Sequence, residues 1–210
     1  MKGRQFQKFA AKFLIPQMPG FTVQHHLIYQ VPVGNVFRGF VFESSGFSAE
    51  TFHPTVCVQP LYVPSDYITM TLAQRLLGVW KFYSGGDPVL AEKLLQTMRK
   101  EGLRVLEDLG TPEKIAHRAD RLEGGLKNPY VRQDIAYSLA LIGEDQEALE
   151  RLDQLLVMLK EMMSGVQKWA ANVHAEVLSF RETLAREPEQ ARHLLAKWTE
   201  ETRRKLRLPA

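Results

Sequence analysis

Between Gly143 and Pro188 the chain carries an unbroken apolar seam: Leu149, Leu152, Leu156, Leu159, Met163, Val166, Ala170, Val173, Val177, Phe180 and Leu184, spaced alternately by three and four residues. Eleven successive heptad core positions without a polar residue demand a helix packed along its length. The spacing predicts one long helix from about 145 to 186. Unbroken, it would reach roughly 60 Å, with Gly165 the natural kink, because glycine costs about 1 kcal/mol in a helix interior. Leu155, Met162 and Trp169 flank the seam where a two-stranded coiled coil would carry charges. Three apolar positions per heptad suit a multi-helix bundle. Core packing within the chain is the first reading, and self-association through the long helix the alternative.

The stretch before the seam repeats one helix-start grammar, a capping side chain followed by proline. Asp87-Pro88 opens a helix to about Leu109, ended by Gly110. Thr111-Pro112 opens another, closed by Gly124-Gly125, and Asn128-Pro129 a third that ends near Gly143. Pro188 begins the last.

The N-terminal part has a different period. Phe6, Phe9, Ala10, Phe13 and Leu14 fall at helical spacing, so 4–14 reads as an amphipathic helix stopped by Pro16, Pro19 and Gly20. From Phe21 to Val31 the residues alternate as in a strand. Val36 to Glu43 give a second strand, 44–50 a loop, and Phe52 to Val63 a third strand. Leu72, Leu76 and Trp80 mark a short helix or an irregular stretch. The expected fold is α+β: an N-terminal helix on a small antiparallel sheet at 1–84, then an all-α bundle with one long helix at 85–210.

Charge narrows the function classes. The net charge is +3. Residues 1–65 hold five Lys/Arg against two Asp/Glu, and 66–210 hold 22 of each. That is too diffuse for a nucleic-acid face, which concentrates its cations. The dense basic run Arg203, Arg204, Lys205 and Arg207 reads as a solvated helix end. Lys8 and Lys12 interrupt the N-terminal apolar stretch before it reaches signal-peptide length. No run is apolar enough to span a bilayer. A cytoplasmic location and no membrane partner are expected.

Residues able to carry chemistry are few. His25 and His26, adjacent on a strand, would point to opposite faces; His53 or Glu43 could approach one of them across the sheet. Such a set would suit a small hydrolase or nuclease. Cys57 lies in an apolar strand, where a packed thiol is expected rather than a reactive one. No phosphate-binding glycine loop, nucleophile elbow or metal-binding histidine pair is present in the sequence, so no cofactor and no metal are expected. The partner-binding candidates are Met158, Met162 and Trp169, adaptable methionines beside an aromatic anchor.

Two resemblances add to this. AYSLALIGEDQEALERLDQLL, residues 137–157, resembles a tetratricopeptide helical hairpin, with Gly143 at the turn and Ala148 at the helix crossing. The aromatic helix, PGF, aromatic strands and acid-capped helix across 5–145 resemble a bacterial domain family of unknown function with immunity-protein relatives. That likeness implies an intracellular binder of another protein, such as a toxin or a defence-system component. The expected function is thus non-catalytic protein binding. The alternatives are a hydrolase or nuclease without a motif, and a nucleic-acid accessory protein using Lys2, Arg4, Lys8, Lys12 and the C-terminal run.

Overall fold

A computed structural model of the chain describes residues 3–45, 48–82, 87–121, 125–163 and 168–209. The expectations placed on Lys2, Gly124, Gly165 and Val166 lie outside the described residues. The fold is α+β, with a six-stranded sheet and a helical C-terminal part. Residue contacts group the chain into two compact units. One comprises Met1–Gln59, Leu72–Gly110 and Pro209–Ala210, the other Pro60–Thr71 and Thr111–Leu208. A single boundary at 84 does not describe this grouping: the helices before Gly110 group with the sheet, and 60–71 with the later helices.

The sheet unit opens with α1 (Gly3–Phe9), which continues through a π-helical turn at Ala10–Leu14 and a 3-10 turn at Ile15–Gln17. Its apolar stripe buries Phe6, Phe9, Ala10 and Leu14, and the Phe6 and Phe42 rings lie 4.2 Å apart. Six strands follow: β1 (Phe21–Gln24), β2 (Leu27–Gln30), β3 (Val36–Ser45), β4 (Ser48–Pro60), β5 (Leu72–Arg75) and β6 (Trp80–Lys81). They run in the order β1-β2-β3-β4-β5, with β6 also on β4.

Three expectations change here. The alternating run 21–31 is a hairpin, turning at His25 and His26, with Phe21 opposite Gln30 and Gln24 opposite Leu27. His25 takes the left-handed conformation at φ 54°. A two-residue turn leaves the alternation looking continuous in sequence while it exchanges the faces, so that Ile28 becomes fully buried. Of the expected loop at 44–50, residues 44–45 belong to β3 and 48–50 to β4, while 46–47 lie outside the described residues. Finally, Leu72, Leu76 and Trp80 belong to a strand region. A spacing of four suits a helix face and also, being even, one face of a strand, and all three are buried against β4's side of the sheet.

Among the described residues two more helices belong to this unit. Asp87 accepts from Val89 N–H at 2.8 Å to start α2 (Pro88–Thr97). A π-helical turn, Met98–Gly102, leads into α3 (Leu103–Leu109). Glycine is required at 102, because a Cβ there would lie 2.2 Å from the Phe40 ring.

The helical unit contains α4 (Pro112–Arg118), α5 (Pro129–Ile142), α6 (Asp145–Met163), α7 (Lys168–Arg186) and α8 (Pro188–Lys205). The cap-plus-proline starts at Thr111 and Asn128 are present, each side chain accepting a first-turn N–H. Glu187 precedes Pro188 without a side-chain cap. Gly143 ends α5 at φ 88°, and α6 returns alongside with Ala148 fully buried. The expected single helix at 145–186 is corrected. α6 and α7 pack against each other, with Arg181 bonded to Asp153. A lone helix would leave much of its stripe wet, whereas doubling back lets the two halves cover one another. Leu152, Leu159, Ala170, Val177, Phe180 and Leu184 of the seam are buried.

Candidate functional site

α5 is the axis of the helical unit: nearly every residue from Val131 to Ala140 is buried. At its first turn the chain meets solvent. Asn128 Oδ1 accepts from Tyr130 N–H at 3.0 Å, which fixes the start of the helix and places Tyr130 on its surface. The Tyr130 ring stacks on Trp169, at the start of α7, with centroids 5.2 Å apart and planes 24° from parallel. Burial pushes the Tyr130 phenol above its ordinary pKa, and the nearby Tyr67 phenol adds to this.

Beside the N-terminal part of α5, an open groove of about 520 Å³ is lined by Leu126, Lys127 and Arg132 on one side and by Gln154, Val157, Met158 and Glu161 of α6 on the other. Arg132 Nε donates to the Leu126 carbonyl and so holds that wall. Val157 is 60% exposed, Met163 41%, Tyr130 41% and Tyr67 71%. Apolar surface of this kind, rimmed by charge, is what a partner displaces water from.

Of the partner-binding candidates, Met158 lines the groove, Trp169 forms the stacked pair, and Met162 is half-buried on α6. Sequence reasoning missed Tyr130, Tyr67, Leu126 and Val157. Val157 had a readable signal, because the run Leu155 to Leu159 is apolar at every position and so spills beyond any single stripe. Tyr130 had none, since only the cap geometry places it outward.

The catalytic alternative used His25, His26, Glu43 and His53. His25 is exposed at the β1–β2 turn, and Glu43 is exposed on β3. His53 is half-buried on β4. His26 stacks on Phe6, and its Nδ1 is buried with no hydrogen-bond partner among the described residues. Burial, then the N-terminal amine and His25, lower its pKa. Among the described residues no group of three His, Cys, Asp or Glu could hold a metal ion. Cys57 is fully buried.

The most perturbed acids are interior. Asp134 on α5 is buried, and its Oδ2 has no hydrogen-bond partner among the described residues. Burial raises its pKa well above the ordinary carboxylate value, because it disfavours the charged form. Ser138, one turn on, bonds the Asp134 carbonyl and lies 2.6 Å from the buried Tyr62 hydroxyl. Glu176 of α7, also raised by burial, accepts from Gln133 at 3.0 Å and Tyr137 at 3.4 Å. Asp134, Ser138 and Tyr62 are closed from solvent, and the Tyr62–Ser138 hydrogen bond joins the 60–71 segment to α5.

Of the basic residues, Arg4, Lys8 and Lys12 are exposed. The C-terminal run is partly neutralised: Arg203 pairs with Glu200 at 2.9 Å and Lys205 with Asp66 at 2.7 Å. No helix among the described residues is long and apolar enough to cross a membrane. No protein-family model, curated protein or solved structure matches this chain.

Proposed function

We propose that this chain is a non-catalytic protein-binding module, immunity-like in that it works by covering a surface of another protein. The observation that carries the reading is the solvent-facing apolar surface of the helical unit, where the Tyr130–Trp169 pair and the Leu126–Val157–Met158 groove present aromatic and methionine side chains. Aromatic anchors of this type dominate binding energy at interfaces, because they bury large area at little entropic cost. Methionine adds an adaptable contact. In this reading the partner is a toxin or a defence-system protein of the same cytoplasm.

The test is affinity capture from host lysate with the native chain and with a Val157→Glu, Met158→Glu variant of equal thermal stability. One stoichiometric protein held by the native chain and released by the variant supports the reading. Equal retention by both removes this surface from it. A chain that runs alone at monomer mass, with nothing captured, ends it.

A further inference from the structure

The sheet unit has its own exposed apolar feature, at the edge of the sheet. β5 and β6 both pair with β4, in register Thr55 to Arg75 and Phe52 to Trp80. Between these pairs β4 supplies two residues, His53 and Pro54, and the edge supplies four, Leu76 to Val79. Leu76 is buried, and its N–H donates to the Pro54 carbonyl at 2.9 Å. The two extra residues make the edge bulge, and Leu77, Gly78 and Val79 are exposed. Leu77 is 77% exposed and Val79 79%, the two highest exposures among the large apolar side chains of the described residues.

A bulge re-aims side chains, and edge strands ordinarily avoid bare aliphatic groups because these invite aggregation. Here the loop is also held in place. Glu101 accepts the Leu77 N–H at 3.2 Å, and Gly78, at φ 116°, sits against the Trp80 indole. The Trp80 Nε1 donor beneath Gly78 has no hydrogen-bond partner among the described residues. The loop's two ends carry exposed cations, Arg75 before it and Lys81 after it. The neighbouring carboxylates, Glu101 and Glu50, belong to the π-helical turn and to β4.

We propose that the Leu77–Val79 loop seats the protein on an anionic lipid surface, its two aliphatic side chains entering the headgroup boundary while Arg75 and Lys81 meet the lipid charges. A protruding tip offers no groove to a partner's side chain, whereas a fluid interface conforms to it. Aliphatic groups flanked by cations are the combination that interfacial binding rewards. This is surface contact without a membrane span, and it is independent of the groove on the helical unit.

Co-sedimentation with phosphatidylcholine vesicles, with and without phosphatidylserine, tests it on the full chain. The native protein is expected to sediment with the anionic vesicles and not with the neutral ones. Leu77→Ser with Val79→Ser should abolish sedimentation. Arg75→Gln with Lys81→Gln should weaken partitioning about thirtyfold, roughly fivefold per cation, with unchanged thermal stability in both variants. A native chain that stays in the supernatant at every lipid concentration overturns the proposal. So does a Leu77→Ser, Val79→Ser variant that binds as tightly as the native chain.

Discussion

Asp153 and Arg181 stand 28 residues apart in the chain and form a two-pronged ion pair, Nε to Oδ1 at 2.9 Å and Nη2 to Oδ2 at 3.2 Å. In one continuous helix those residues would be separated by about 42 Å along the axis. The pair therefore marks the doubling back of α6 and α7. Spin labels on Asp153→Cys and Arg181→Cys, in a Cys57→Ala background, should show strong dipolar broadening. A spectrum equal to the sum of the singly labelled proteins would restore the continuous helix. The Arg181 side chain is 34% exposed and that of Asp153 53%, so the pair itself should contribute little. A double-mutant cycle is expected to return a coupling of about 0.2–1 kcal/mol.

Asp134 should make the protein less stable as pH rises. Its folded-state pKa lies above its unfolded value because burial disfavours the charged form. The contribution of the neutral acid is thus fully present below the unfolded value of about 3.9 and is lost as pH rises through the folded one. Asp134→Asn removes the titration. It should raise stability at neutral pH by on the order of 1 kcal/mol, with the gain over the native chain shrinking toward pH 4 in thermal melts.

Gly102→Ala should cost about 1–3 kcal/mol in chemical denaturation, the usual range for overpacking a core. The added carbon would fall on the Phe40 ring, which is fully buried. Phe40→Leu in the same chain should recover part of that loss, and a second variant no more stable than Gly102→Ala alone would point to the helix backbone instead.

Along α6 the cost of truncation should follow burial. Leu152 is fully buried and Val157 is 60% exposed. Leu152→Ala is expected to destabilise by about 2–5 kcal/mol and Val157→Ala by less than about 0.5 kcal/mol. Equal losses would mean that Val157 packs inside the fold.

The fold was legible wherever one residue type had one structural use. Asp87-Pro88, Thr111-Pro112 and Asn128-Pro129 announced their helices, because a capping oxygen and a proline fit together at few other places. It was illegible where a pattern fitted two periods. Leu72, Leu76 and Trp80 satisfy a helix and a strand equally, and the His25-His26 turn has no glycine or asparagine to betray it. The seam from Leu149 to Leu184 told of burial but carried no information on what faced it. At the groove, Met158 and Trp169 were readable as apolar residues on a helix face. Tyr130 and Tyr67 come from remote stretches, and only packing brings their phenols near each other.

The segment Pro60–Thr71, with Tyr62 bonded to Ser138, groups with Thr111–Leu208, while residues on both sides of it in sequence group with the sheet. The chain is therefore woven: it leaves one unit, serves the other, and comes back. No single cut separates the two units. During synthesis the sheet unit has all its described strands and helices once Gly110 has emerged, but Tyr62 must wait for α5 before it meets its hydrogen-bond partner Ser138. A gene truncated after Gly110 would leave Pro60–Thr71 without the helices it groups with, and one begun at Thr111 would lack that segment, so the chain is to be engineered as one piece.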